Sequence, residues 1–411
     1  MNILLLNQFY LPDPAPTGKL VADLAERLAA SGDNVTVVCG QSAYSGGPAP
    51  SAPGKDETHG RLRIVRLPAF RFSHGWRGRL LAYASFFFGA LLRSMRMPAP
   101  DVVVTLTTPP LLPVVGAFTK KLRGARHVIW EMDVYPDVAV DLGIMKAGSA
   151  AARLAGTVLD YCRRNADCLI ALGDCMRLRL LNRGIPDGII RVAENWADSR
   201  EIPQQPFPKD GPLTVLYSGN LGLAHDVETI AGALDVPGCR FVFRGGGPQR
   251  AALERHCRQR GHGNVEFVPY ASRDALAEGF GNADLCLVTQ KASCCGSVVP
   301  SKLYTVMAAG RPVLFIGPGA ATPAQVVKRH HCGWQIEPGD VASLRSLLGW
   351  LVLNREALHT AGENARRAFD HHYDIDAGAG RVASILRSLS VKKKPAGGPK
   401  TEPAGERILS D

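Results

Sequence analysis

The sequence predicts an α/β protein made of two Rossmann-like domains, and three observations carry that prediction. At 411 residues the chain exceeds what one hydrophobic core usually serves, so two domains are expected. The chain opens with a strand, loop, helix, strand order, the βαβ pattern of a parallel sheet, and a second series of the same kind begins near residue 215. Between the two series lie Pro203, Pro206, Pro208 and Pro212 among mostly polar neighbours, a composition that reads as a linker.

Residues 1–6 form a short apolar strand, 7–19 a loop rich in Pro and Gly, and 18–30 carry apolar residues at helical spacing. Further strands are expected at 35–39, 62–65, 102–106, 127–130, 168–172 and 189–192, completing a first domain over residues 1–198. After a linker at 199–212, the second domain, 213–370, is expected to hold strands at 215–218, 240–244, 265–268, 285–288 and 312–315. The pattern then turns helical over 343–351, 356–369 and 377–389, without further strong strands, so that 371–390 stands apart as a terminal helix. Beyond it, Lys392-Lys393-Lys394-Pro395 opens a tail too poor in apolar residues to fold, and 391–411 is expected to be disordered.

An apolar fraction of 46% suits a globular protein, and a formal charge of +11 implies anionic partners: nucleic acid, anionic lipid or sugar nucleotides. The ten cysteines include no Cys-x-x-Cys pair, so neither a zinc site nor a secretory disulfide framework is suggested. The adjacent Cys294 and Cys295 have no nearby His and receive no role. A reduced, cytoplasmic setting is expected. No segment offers the roughly 20 uninterrupted apolar residues of a membrane-crossing helix. Residues 80–92 come nearest, with Ser85 inside them.

The most informative stretch runs Ser297-Val298-Val299-Pro300-Ser301-Lys302-Leu303-Tyr304-Thr305 and on to Gly310-Arg311-Pro312. Pro300 suits the first turn of a helix, Gly310 its C-terminal stop, and the strand at 312–315 follows. Lys302 then stands in a first turn, where the helix dipole would prefer an acid, and this mismatch points to a phosphate partner.

In doubly wound sheets ligands bind beyond the carboxyl ends of strands, so the strand exits are the other places to read. The first is Phe9-Tyr10-Leu11-Pro12-Asp13-Pro14-Ala15-Pro16-Thr17-Gly18-Lys19. The second is Trp130-Glu131-Met132-Asp133-Val134-Tyr135-Pro136-Asp137, with Asp141 close behind, a concentration of carboxylates that need partners if buried. Glu194-Asn195-Trp196 ends the first domain's last strand, and Tyr217-Ser218-Gly219-Asn220-Leu221-Gly222-Leu223-Ala224-His225 follows the second domain's first. Gly245-Gly246-Gly247, Val268-Pro269-Tyr270 and a helix from Ser272 supply surfaces on which a base or ribose can lie. None of these is the dinucleotide fingerprint, which belongs in the first βα turn.

These motifs together resemble the GT-B glycosyltransferases of family 4, group 1, in the branch that builds O-antigen, capsule and exopolysaccharide. The Pro-Ser-Lys helix followed by Gly-Arg-Pro-Val, the Asp133-Val134-Tyr135-Pro136 run and the Gly219-Asn220-Leu221-Gly222 loop carry the resemblance over about residues 1–390. It implies two Rossmann-like domains facing across a cleft. The second would hold a nucleotide diphosphate sugar, first of all a UDP-sugar, and the first a polyprenyl diphosphate-linked acceptor. The transferred group would be hexosyl or N-acetylhexosaminyl, with retention and with no metal or tightly bound cofactor.

By the same resemblance Lys302 stabilises the departing diphosphate, while Asp133 orients or deprotonates the acceptor hydroxyl. Gly18, Asn220, His225, Gly246, Gly247, Tyr270, Ser297, Ser301 and Thr305 are then expected on the donor, and Lys19, Tyr135 and Asn195 on the acceptor. The family's loop Arg and Lys are replaced by Asn220 and His225, and its paired glutamates by Ser297 and Thr305. The missing glutamates keep open a nucleotide-sugar-binding homologue without catalysis; a GT-B sugar-nucleotide epimerase is a separate alternative, for which no set of acids and His can be placed.

Residues 58–100 contain Arg61, Arg63, Arg66, Arg71, Arg77, Arg79, Arg93 and Arg96 and no acid at all, with Phe70, Phe72, Trp76, Tyr83, Phe86, Phe87 and Phe88 among them. Arginines flanking a short apolar stretch suit an interfacial helix on an anionic membrane. Nucleic acid is disfavoured, because strand-binding grooves interleave cations with the rings. The expectation is a cytoplasmic protein peripheral to the inner face of the cell membrane, docked through residues 61–96.

Overall fold

The computed structural model describes residues 1–41, 56–70, 76–208, 211–270 and 273–390. The expected disordered tail at 391–411, Arg71 and Phe72, the side chain of Trp76 and the helix start at Ser272 lie outside the described residues.

Apolar runs buried on both faces make parallel strands. The first domain's strands, of which β3 is the exception to this rule, are β1 (Asn2–Leu6), β2 (Asn34–Gly40), β3 (Glu57–His59), β4 (Leu62–Leu67), β5 (Val102–Thr105), β6 (Arg126–Trp130), β7 (Cys168–Ala171) and β8 (Ile190–Val192). They form one sheet in the order β3-β4-β2-β1-β5-β6-β7-β8. Leu5 pairs with Val37 on one side and Val104 on the other, while β3 alone runs antiparallel, at the edge. The second sheet comprises β9 (Leu213–Ser218), β10 (Cys239–Arg244), β11 (Val265–Val268), β12 (Leu285–Thr289), β13 (Val313–Ile316) and β14 (Gly333–Ile336), ordered β11-β10-β9-β12-β13-β14 and parallel throughout.

Strand order reverses between β1 and β5 in one sheet and between β9 and β12 in the other. Loops diverge at such a switch point and leave a crevice at the carboxyl ends. The architecture is therefore the expected GT-B pair of α/β domains.

Three expectations need correction. β3 and β14 had no signal: β3 is a short polar edge strand, and only Ile336 of β14 is buried. The helix expected from Pro300 begins at Lys302 and runs to Ala308, with Pro300 ahead of it, while Gly310 does follow its end at φ 67°. The arginine-rich segment is less one-sided than it reads. The acids just before it fold back, so that Asp56 pairs with Arg63 (2.5 Å) and Arg93 (3.0 Å), and Glu57 with the buried Arg66 (2.8 Å).

The chain crosses between domains twice. Residues 193–208 lead out of the first sheet, and after the Arg355–His372 helix the chain returns as the Ile375–Ser390 helix. Ala379, Val382, Ala383 and Leu386 of that helix are buried in the first domain's core with Val21 and Leu24, and Arg387 pairs with Asp33 at 2.9 Å. The crossings run side by side: Ala197 N–H donates to the Tyr373 carbonyl at 3.2 Å, and the Ser199 hydroxyl to Asp374 at 2.9 Å.

Candidate functional site

The second domain's contribution begins at the exit of β9. Gly219 has φ 133°, and a Cβ there would stand 2.3 Å from Cε of Lys302, so the lysine stem passes over this residue because it has no side chain. The glycine run after β10 has a related cause: a Cβ on Gly247 would meet the Leu221 carbonyl at 2.5 Å, and Leu221 N–H donates to the Gly246 carbonyl at 2.7 Å. Gly247 thus serves loop-on-loop packing. Gly246 lies under the ring of Tyr270, which is 61% exposed.

Lys302 is half-buried, its Nζ donating to the Asn220 carbonyl at 3.2 Å and meeting Nε2 of His225 at 3.3 Å, 5.3 Å from the Tyr217 ring centre. Asn220 contributes its carbonyl, which also accepts from the Tyr217 hydroxyl at 2.7 Å, while its side chain is exposed. Nδ1 of His225 lies 2.8 Å from the Thr289 carbonyl, which can only accept, so Nδ1 carries the proton and Nε2 the lone pair. Burial holds the Lys302 ammonium down at about 8. Burial, and then the charge of Lys302, keeps His225 neutral, down at about 3.

Ser301 and Thr305 are one turn apart and share a face of the helix, and their hydroxyls bond to no described residue. Ser297 does not join them. It is fully buried, its hydroxyl and N–H both donate to the Cys294 carbonyl (3.2 Å each), and its carbonyl accepts from Val134 N–H at 2.8 Å. Every polar group of Ser297 is spent on holding the loop, so it has none left for a sugar.

In the first domain most of the carboxylates after β6 are committed to arginines. Glu131, fully buried, takes both branches of Arg163 (2.7 and 3.2 Å), Arg163 and Arg183 share Asp160, Arg183 and Arg179 share Asp137, and Arg179 also holds Asp141. Fully hydrogen-bonded pairing of this kind is what permits charge in an interior. Asp133 is the acid left over. Its carboxylate bonds to no described residue, and burial followed by the Glu131 charge pushes it up to about 6.

The Asp133 backbone is fixed by Thr107, whose hydroxyl accepts from the amides of both Met132 and Asp133 at 3.2 Å, and by a bridge to Val298 across the domain gap. Val298 precedes Lys302 by four positions, so one interdomain contact joins the loop of the acid to the segment that leads into the helix of the cation. Tyr135 is half-buried in the same loop. Asn195 is 5% exposed, its Oδ1 buried without a described partner, next to Trp196, which stacks on Trp130 at 5.7 Å.

Two further residues expected here are placed elsewhere. Lys19 bridges Asp23 (3.2 Å) and Glu201 (3.1 Å), tying the Pro16–Ala30 helix to the segment that leaves the first domain rather than reaching into the cleft. Gly18 donates its N–H to Ala15 and is buried against the backbone of Phe9 and Tyr10, so its missing side chain serves its own loop. Sequence reasoning also missed Thr107, Thr289 and the Asn7-Gln8 pair at the exit of β1. Asn7 Oδ1 and both side-chain amide atoms of Gln8 are buried without a described partner. Two amides directly after an apolar strand were the available signal.

The glycosyl transferase 4-like domain model matches residues 17–196, and the glycosyl transferases group 1 model matches residues 198–368. The probable glycosyltransferase WbjE of Pseudomonas aeruginosa is 26% identical over 80% of this chain and 86% of its own. The putative colanic acid biosynthesis glycosyl transferase WcaI of Escherichia coli K12 is 29% identical over 75% of this chain and 82% of its own. Among solved structures, HepE of Anabaena in complex with UDP superposes with a TM-score of 0.70 at 14% identity, covering 94% of this chain and all of that one, which shows the shared fold.

Proposed function

Two glycosyltransferase domain models together span residues 17–196 and 198–368, so the chain belongs to the two-domain GT-B glycosyltransferases, and from that premise we propose a specific transfer. A hexosyl or N-acetylhexosaminyl group passes, with retention, from a UDP-sugar to a polyprenyl diphosphate-linked saccharide in surface polysaccharide biosynthesis. The names of WbjE and WcaI and the UDP carried by HepE support the substrate class.

One observation carries the reading: an ammonium with two of its three N–H groups anchored stands on the helix that carries Thr305, next to Ser301, and the segment leading into that helix bridges, through Val298, to the loop whose single unpaired acid is Asp133. As the bond from the sugar to the diphosphate breaks, Lys302 meets the charge growing on the leaving oxygen. Asp133 takes the proton from the acceptor hydroxyl as the new glycosidic bond forms. Tyr270 and Gly246 face the base, and Tyr135 and Asn195 line the acceptor side. The absence of carboxylates at Ser297 and Thr305 favours a second reading, a binding protein without turnover.

Incubating purified protein with UDP-, GDP- and dTDP-sugars, with and without a polyprenyl diphosphate-linked acceptor, separates the two. Nucleotide release that requires the acceptor is expected with a UDP-sugar. Binding without such release from any donor would leave only the second reading.

The acceptor's lipid also gives the Trp76–Arg96 helix a role. Its outer stripe runs Arg77, Leu81, Phe88, Leu92, Arg96, with Leu81, Phe88 and Leu92 at 55%, 65% and 52% exposure. Cations at both ends of an apolar face suit an interfacial helix on anionic lipid. Each arginine near such a surface contributes about 1 kcal/mol. The Arg77→Gln, Arg96→Gln double variant is therefore expected to sediment with phosphatidylglycerol vesicles about thirtyfold more weakly while binding UDP as before. Unchanged sedimentation would remove this docking face.

A further inference from the structure

The place of His225 in its motif is one where a cation would meet the diphosphate directly, but its geometry gives it other work. Nδ1 donates to the Thr289 carbonyl at 2.8 Å and lies 3.1 Å from the Thr289 hydroxyl, which settles the tautomer and the plane of the ring. Tyr217 packs against it edge-on with centroids 5.7 Å apart, and Gln249 holds the loop by donating to the carbonyls of Gly222 (2.5 Å) and His225 (2.9 Å). Nε2 is thereby aimed, as an acceptor, at Nζ of Lys302, 3.3 Å away.

An ammonium has three donors and a flexible four-carbon stem, so a single anchor leaves it free to rotate among wells. Here Asn220 and His225 take two donors from different directions, and Gly219 opens the path of the stem. We propose that His225 is a positioning residue: the Thr289 carbonyl fixes its Nδ1–H tautomer, and its Nε2 fixes the direction in which Lys302 presents its remaining N–H to the donor diphosphate. The proposal rests on the donor-site reading above. It also assigns a use to Thr289, at the end of the strand beside β9, which no sequence motif marks.

The arrangement trades a direct cation at 225 for a neutral acceptor that directs the cation at 302. A second positive charge at 225 would add attraction for phosphate but would repel Lys302 across a 3.3 Å contact. A neutral imidazole avoids that repulsion, because its Nε2 accepts only while it is unprotonated.

The test compares His225→Leu, which removes the acceptor at similar volume, with His225→Gln, whose side-chain oxygen can accept from Nζ. Affinities are measured by titration calorimetry for the tightest of UDP, GDP and dTDP and for the matching nucleoside. His225→Leu is expected to weaken nucleoside diphosphate binding about tenfold and to leave nucleoside binding within about twofold. His225→Gln is expected to recover most of the loss. Equal losses for diphosphate and nucleoside, or no recovery in the Gln variant, would reduce His225 to a packing residue, and undiminished affinity in His225→Leu would overturn the proposal outright. Lys302→Ala, measured in parallel, keeps the two readings apart. If it weakens diphosphate binding while His225→Leu does not, only the role of His225 falls, and if neither variant weakens it, or wild type binds none of the three, the donor-site reading falls as well.

Discussion

Lys302→Ala is expected to lower kcat by about 10²–10³-fold, the range seen when one preorganised charge-stabilising donor is removed. Under the proposed donor-site role it should also weaken UDP far more than uridine, since the contact removed would be one to phosphate. The pH dependence supplies the sharper test. The ammonium is the form that binds, and burial brings its titration down to about 8, so kcat/KM of the wild type should fall as the pH rises through that value. In the Ala variant the residual activity should lack this alkaline limb. Equal losses for UDP and uridine, or an unaltered limb, would show that Lys302 does not face the diphosphate.

Asp133→Asn carries the other large effect, an expected loss of about 10²–10⁴-fold in kcat with UDP affinity nearly unchanged. The substitution preserves shape and the backbone contacts with Thr107 and Val298, so it removes little besides the basic oxygen. Burial and the neighbouring Glu131 raise this carboxyl to about 6, and only its ionised form can take a proton. Wild-type kcat/KM should therefore climb as the pH rises through 6, whereas the Asn variant should be flat there. A variant that turns over like wild type would place the proton acceptor elsewhere and return Asp133 to the role of a loop residue.

What the sequence disclosed follows from which interactions are local. Apolar strands with glycine-rich exits repeat along the chain, so most of both sheets, and Lys302 and the 219–225 loop as separate donor-site candidates, were legible before any coordinates, whereas the contact of Lys302 with Asn220 and His225 was not. The strands that escaped, β3 and β14, lack that apolar signature and owe their existence to the neighbours they pair with. The acids after β6 show the limit most clearly. Glu131, Asp133, Asp137 and Asp141 look alike in sequence, and only the arrival of Arg163, Arg179 and Arg183 from distant helices separates structural carboxylates from the one that remains. Ser297 and Lys19 are engaged partly by near neighbours, Cys294 and Asp23, and partly by remote ones, Val134 and Glu201, and only the remote contacts lay beyond a local reading. Fixing the tautomer of His225 likewise required seeing Thr289 beside it.

The paired crossings at Ala197–Ser199 and Tyr373–Asp374 bear on how the enzyme can move. A single proline-rich tether would let one domain tumble relative to the other in every direction. Two chain segments bonded side by side behave like the pins of a door, leaving swing about one line as the soft coordinate and resisting twist and slide. Swing about that line would part the Asp133–Val298 bridge and the Val134–Ser297 hydrogen bond, so those contacts hold the angle between the loops that carry Asp133 and Lys302. The place where the chain returns and the contact between the two loops thus act on the same angle from opposite ends.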